Sequence, residues 1–149
     1  MTLYDQISED IKAAMKARDK VRLETLRNIK KVFIEAKTAP GANDTLADAD
    51  AIKIIQKLAK QGREAAAIFT QKGRQDLADG ELAQVAVIEG YLPPQLSEAE
   101  IEIAVREIIA QSGASGMKDM GKVMGMASKQ LAGKADGRAI STIVKRLLS

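Results

Sequence analysis

The chain has 149 residues, 46% of them apolar, and a formal net charge of +3, which suits one or two folded domains and excludes a disordered chain. It contains no Cys, His or Trp, and only two Tyr and two Phe. Thiol chemistry, cysteine metal sites and a Ser–His pair are therefore excluded, and a core of Leu, Ile, Val, Ala and Met suits packed helices better than an all-β sandwich.

The elements follow from apolar spacing. Thr2 and Asp5 have the spacing of a capping box. Leu3, Ile7, Ile11, Ala14 and Met15 then recur at helical steps, predicting a helix to about Arg18. Asp19 can cap a second helix with Leu26, Ile29, Phe33 and Ala36 inward. Residues 38–46, TAPGANDTL, read as a loop. A third helix starts at Asp48 or Asp50, with Ala51, Ile54, Ile55, Leu58, Gly62, Ala65, Ala66 and Phe69 on one face. Gly62 costs about 1 kcal/mol relative to Ala in a helix, so close approach of a neighbour is the expected reason for it. Gly73 ends this helix. A fourth follows from about Arg74, with Leu77, Leu82, Val85 and Ile88 inward.

Pro93-Pro94 cannot continue a helix and marks the expected boundary between domains 1–92 and 93–149. Ser97 and Glu100 form a second capping box, followed by the stripe Ile101, Ala104, Val105, Ile108 and Ile109. After a turn at residues 113–116, a sixth helix is expected from Asp119, with Met120, Val123, Met124, Ala127 and Leu131 inward. Gly133 ends it, and Asp136 caps a seventh carrying Ile140, Ile143, Val144, Leu147 and Leu148. No segment alternates with period two. The fold class is therefore all-α, with an N-terminal bundle of about four helices and a C-terminal three-helix domain.

Charge is unevenly distributed. Residues 12–37 carry nine Lys/Arg against Asp19, Glu24 and Glu35, a net +6. Residues 117–149 carry seven against Asp119 and Asp136, a net +5. The set Lys12, Lys16, Lys20, Arg22, Arg27, Lys30 and Lys31 can track a nucleic-acid backbone or form a solvated helix face. With only Tyr4, Phe33, Phe69 and Tyr91 as stacking partners, readout of splayed RNA bases is not expected. The longest uncharged run, Ile108–Met117, has ten residues, well short of the roughly 20 needed to cross a bilayer. The N-terminus also lacks the apolar stretch of a signal peptide. A soluble, cytoplasmic chain without membrane association is expected.

The C-terminal third carries several local motifs. Gly116–Lys122 fits seven positions of a phosphate-binding loop, but Val123 stands where Ser or Thr should hold magnesium, and an amphipathic segment precedes it instead of a strand. No nucleotide cofactor is expected. Gly121 and Gly125 share a helix face and are expected to serve close helix packing. The methionines at 120, 124 and 126 are read mainly as core. At Gly133–Gly137, Asp136 is expected to cap the last helix, with Lys134 and Arg138 beside its start. Glu9–Asp10 and Glu98–Glu100 are helix-start residues. No catalytic pair, metal site or cofactor site is found.

Several of these segments together carry a resemblance: Tyr91–Ser97, Lys118–Gly125, Gly133–Gly137, Val144-Lys145 and Leu148, supported by Leu26-Arg27, Gly73–Leu77 and Glu81. The chain resembles the GatB/YqeY family across nearly its whole length. Its C-terminal part is similar to the tail domain of the B subunit of the tRNA-dependent amidotransferase. The resemblance implies an all-helical fold of two subdomains and association with tRNA, or with an amidotransferase or aminoacyl-tRNA synthetase. It also brings a carbon–nitrogen ligase label, with glutamine as amido-N-donor, read as inherited through the family rather than intrinsic to this chain. The expected nucleic-acid contacts are Lys118, Lys122, Lys134 and Arg138. The alternatives are a protein–protein adaptor without RNA contact and an intrinsic amidotransferase, for which no nucleophile and base are found.

Overall fold

Two helices begin where a side chain satisfies the free N–H groups of the first turn. Thr2 Oγ1 accepts from the Asp5 amide at 3.1 Å, and the Asp5 carboxylate accepts from the Thr2 amide at 3.0 Å. Ser97 and Glu100 repeat this reciprocal arrangement at 3.2 and 3.0 Å. Both carboxyls are held below the usual range, first by the backbone hydrogen bond each accepts. A computed structural model describes all residues 1–149, which form seven α-helices, one 3-10 turn and no strand. They divide into two compact units, Met1–Leu92 and Pro93–Ser149.

The first unit holds α1 (Leu3–Ala17), α2 (Lys20–Lys37), α3 (Asp48–Gln71) and α4 (Gln75–Glu89). The chain reverses between α1 and α2 at Arg18, which takes φ 56. Asp19 then caps α2 by accepting from the Arg22 amide at 3.2 Å. Ile7, Leu26, Ile29, Phe33 and Ile55 are fully buried, each contributing about 1.5–3 kcal/mol. α3 begins after Ala47 without a side-chain cap. The helix starts at Asp48, one of the two expected positions, and the Asp48 carboxylate accepts from the Leu3 amide at 2.8 Å, joining the starts of α1 and α3. At the far end of the unit, the Tyr91 hydroxyl donates to the Asp10 carboxylate and accepts from Arg22 at 3.2 Å. The segment after α4 is thereby tied to both α1 and α2. Burial, and next the bond to Asp10, push the Tyr91 phenol well above the usual tyrosine range.

The α3–α4 hairpin is the most extensive helix pair, and Gly62 is what brings it together. A Cβ at Gly62 would lie 2.5 Å from Val85 Cγ2. The expected close approach is therefore present. The α4 stripe differs from expectation: Val85 and Ile88 are buried, but Leu77 and Leu82 are 40% and 46% exposed, and Ala78 is buried in their place. Close packing against a face of Gly and Ala suits a small residue at 78, which turns its larger neighbours outward. Met15, also expected inward, is 53% exposed.

The second unit holds α5 (Glu98–Ser112), the 3-10 turn Met117–Asp119, α6 (Met120–Gln130) and α7 (Gly137–Leu148). Val105, Val123, Ala127 and Val144 are fully buried at its centre. Met120, Met124 and Met126 are half-buried against this core, filling gaps as flexible thioethers can. Gly121 and Gly125 do not serve packing, contrary to expectation: a Cβ at either would meet nothing within 4 Å. A two-residue step turns roughly 200° around a helix, which sets both glycines opposite the Val123–Ala127 face.

Gly62→Ala should lower stability by about 1 kcal/mol net, because overpacking costs roughly 1–3 kcal/mol and helix propensity returns about 1 kcal/mol. In a Val85→Ala background the same change should become neutral or stabilising, as urea unfolding of the four proteins will show. Tyr91→Phe should cost about 1 kcal/mol at neutral pH. A raised phenol contributes stability that is complete below the ordinary tyrosine value of 10.0 and is lost as pH climbs toward the folded one. The gap between wild type and Tyr91→Phe should hold steady to about pH 9 and shrink above about pH 10.

Candidate nucleic-acid interface

Within the second unit, charge is segregated by helix. α5 carries Glu98, Glu100, Glu102 and Glu107 against Arg106, whereas residues 117–149 carry the net +5. One of those cations is paired across helices: Glu102, which also binds Arg106 of its own helix at 3.1 Å, meets Arg146 at 3.2 Å.

Lys118 lies in the 3-10 turn ahead of α6, exposed and without a salt-bridge partner. This turn stands where the sequence predicts the helix start. The Asp119 carboxylate, which makes no cap to α6, accepts from the Ser115 amide at 3.0 Å and closes the turn. Lys122, on the first turn of α6, donates from Nζ to the Ser112 carbonyl at 3.2 Å. It thus satisfies an orphan acceptor at the C-terminal end of α5, where a cation also complements the helix dipole.

The other two cations flank the start of α7. Gly133 adopts φ 78 in the turn after α6. Gln95 Nε2 donates to the Gly133 and Pro93 carbonyls, both at 2.8 Å, and the Leu96 amide donates to the Lys134 carbonyl at 2.9 Å. The backbone of Lys134 is therefore clamped while its side chain is exposed. Arg138, second residue of α7, is exposed and has no salt-bridge partner. Asp136 takes the N-cap position with extended backbone, φ −70 and ψ 138, but its side chain makes no capping bond, contrary to expectation.

The structure thus places the four cations as two pairs. Lys118 and Lys122 sit at the start of α6, and Lys134 and Arg138 lie beyond its end. The eleven residues of α6 separate the pairs by about 16 Å of helix. The sequence does not single out Gln95: its bonds reach 38 residues along the chain, and nothing in the local pattern marks them.

Other candidate chemistry is limited. The phosphate-loop pattern Gly116–Lys122 follows helix α5 and crosses a 3-10 turn, whereas the motif needs a preceding strand. No group of three or more Asp or Glu can hold a metal ion, and no helix is long and apolar enough to cross a membrane. A cleft of about 170 Å³ in the first unit presents Asn28, Gln61, Glu81 and Gln84 around Leu58 and Val85.

Comparison with known proteins adds the family. The Yqey-like protein family matches residues 4–148. The chain belongs to that family. It is 28% identical over 146 residues to altered inheritance of mitochondria protein 41, mitochondrial, of Pyrenophora tritici-repentis, covering 96% of this chain and 79% of that protein. The protein of the same name from Meyerozyma guilliermondii is 28% identical over 123 residues, covering 80% of this chain and 64% of that one. A glutamyl-tRNA(Gln) amidotransferase subunit of Thermococcus gammatolerans is 43% identical over 68 residues. That match covers 43% of this chain and only 10% of the amidotransferase protein.

The geometry gives Lys122 a structural part that the other three cations lack. Lys122→Gln should lower stability by about 0.3–1 kcal/mol, while Lys118→Gln and Lys134→Gln should leave it unchanged, as thermal unfolding of the three variants will show.

Proposed function

We propose that this chain is a non-catalytic helical module that binds tRNA, or a tRNA-dependent amidation complex, through its C-terminal three-helix unit. The observation that carries the reading is the 43% identity with a subunit of a glutamyl-tRNA(Gln) amidotransferase. The exposed cations Lys118, Lys134 and Arg138, none held by a salt bridge within the chain, support it as phosphate contacts. Phosphate contacts position a protein on a nucleic acid without reading its sequence, which suits a surface poor in aromatics.

In this reading the chain has no ligase activity of its own. The cleft offers one carboxylate and three carboxamides, with no nucleophile and base in hydrogen-bond reach. Glutamine hydrolysis by the purified chain, abolished by a single substitution, would overturn that part.

The experiment is gel-shift titration of tRNA across a salt series. Affinity should fall steeply with salt, and the combined reversal Lys118→Glu, Lys134→Glu and Arg138→Glu should weaken binding by about tenfold or more at low salt. Affinity indifferent to both would refute direct RNA contact. One observation favours a second reading, an adaptor docking on an amidotransferase or a synthetase: the relative at 43% identity is a subunit of an assembly, and the match covers only a small part of it. That reading requires capture of an amidotransferase or synthetase that survives nuclease treatment.

A further inference from the structure

The strongest charge imbalance lies in the first unit, over residues 12–37, and the three-helix reading does not use it. Structure sorts those nine cations. Lys12 pairs with Glu9 at 3.3 Å, and Arg22 is engaged by Asp10 and Tyr91. Lys37 and Lys30 lie over the Tyr4 ring at 3.9 and 5.8 Å from its centroid. The remaining five, Lys16, Arg18, Lys20, Arg27 and Lys31, are exposed and make no salt bridge. The nearest acid in sequence, Asp19, is occupied as the cap of α2.

Their placement is ordered. Lys20, Arg27 and Lys31 are seven and four residues apart on α2. At roughly 100° per residue they fall within about 40° of one another and span about 16 Å along the axis. Lys16 and Arg18 continue the positive charge around the α1–α2 turn. Glu24 lies on the same strip and Glu35 at its edge, leaving it net positive.

We propose that this face of the α1–α2 hairpin is a second interaction surface, and that its partner is the sugar–phosphate backbone of a structured RNA. Three observations select that partner. The opposite face of α2 is committed to the core, with Leu26, Ile29 and Phe33 fully buried, so the helix has no apolar face for a bilayer surface. Lys20, Glu24, Arg27 and Lys31 are all charged, and the exposed apolar residue on this side, Ile34 at 42%, lies at the C-terminal edge of the strip, whereas the centre of a protein interface is usually built on apolar and aromatic residues. Evenly exposed cations along a rigid rod are what a phosphate backbone requires, since each contact gains by releasing a counterion. The inference extends the RNA reading above but stands on different residues and a different unit.

The test uses the full chain and a tRNA transcript, with binding measured from 50 to 200 mM salt. Four proteins are compared: wild type, Lys20→Gln/Arg27→Gln/Lys31→Gln, the Lys118/Lys134/Arg138 reversal, and the two combined. Each has its helix content checked by circular dichroism. Loss of three contacts should flatten the log–log salt slope by about 2–3. Across that range wild type should lose about 40-fold more affinity than the α2 variant. The same flattening should appear in the background of the C-terminal reversal. An unchanged slope in the α2 variant overturns this inference even if the C-terminal reversal weakens binding, which leaves the earlier reading intact. The opposite pattern, a loss confined to the α2 variant, supports this surface and refutes the C-terminal one. Absence of RNA binding by wild type, or equal competition by polyglutamate of matched charge, overturns the inference as well.

Discussion

The constraint on which the rest depends is that each unit must bury an apolar core with almost no aromatic side chains. The fully buried positions of the first unit are Ile7, Leu26, Ile29, Phe33, Ile55, Ala59 and Ala78. In the second they are Val105, Val123, Ala127 and Val144, with Ile108 and Ile140 nearly so. Branched aliphatics and alanines fill volume only when helices approach closely, since dispersion contacts fall off over a fraction of an ångström. Gly62 against Val85 is the clearest instance. Most of the apolar stripes are used up in this way, although single large apolar side chains such as Met15, Ile68 and Ile103 remain exposed.

That distribution bears on function. The chain has no His or Cys to concentrate chemistry at a point, and its carboxylates are largely occupied in caps, ion pairs and hydrogen bonds. Asp5 and Glu100 close capping boxes, Asp19 caps α2, Asp48 holds the start of α1, and Glu102 binds two arginines. Cations remain in excess on two surfaces. The chain belongs to the YqeY-like family and is related over part of its length to an amidotransferase subunit; under the function proposed above, these cations would make affinity sensitive to salt.

Much of the fold was legible in the sequence because helical periodicity and capping are local. The capping boxes at Thr2 and Ser97 form as their spacing predicts, as do the stripes of α2, α5 and α7. The misreadings have different causes. Leu77 and Leu82 are five residues apart, about 140° around α4, so they share no face, and Ala78, seven residues before Val85, takes the buried place. Gly121 and Gly125 share a face as expected, yet that face looks outward, because Val123 and Ala127 set the interface.

For the candidate sites the division is similar. Sequence alone determined that the protein is all-helical and aromatic-poor and that positive charge concentrates in residues 12–37 and 117–149, since composition and periodicity are properties of the chain itself. Tertiary structure decided which cations are free. It neutralised Arg22, Arg106 and Arg146, gave Lys122 the end of α5, and set Lys118 apart from Lys134 and Arg138 by the length of α6. It also supplied Gln95, whose hydrogen bonds fix the turn carrying Lys134. Pairing of charges, and long-range bonds such as that of Gln95, depend on distances between residues far apart in sequence, and only the packing of helices fixes those distances.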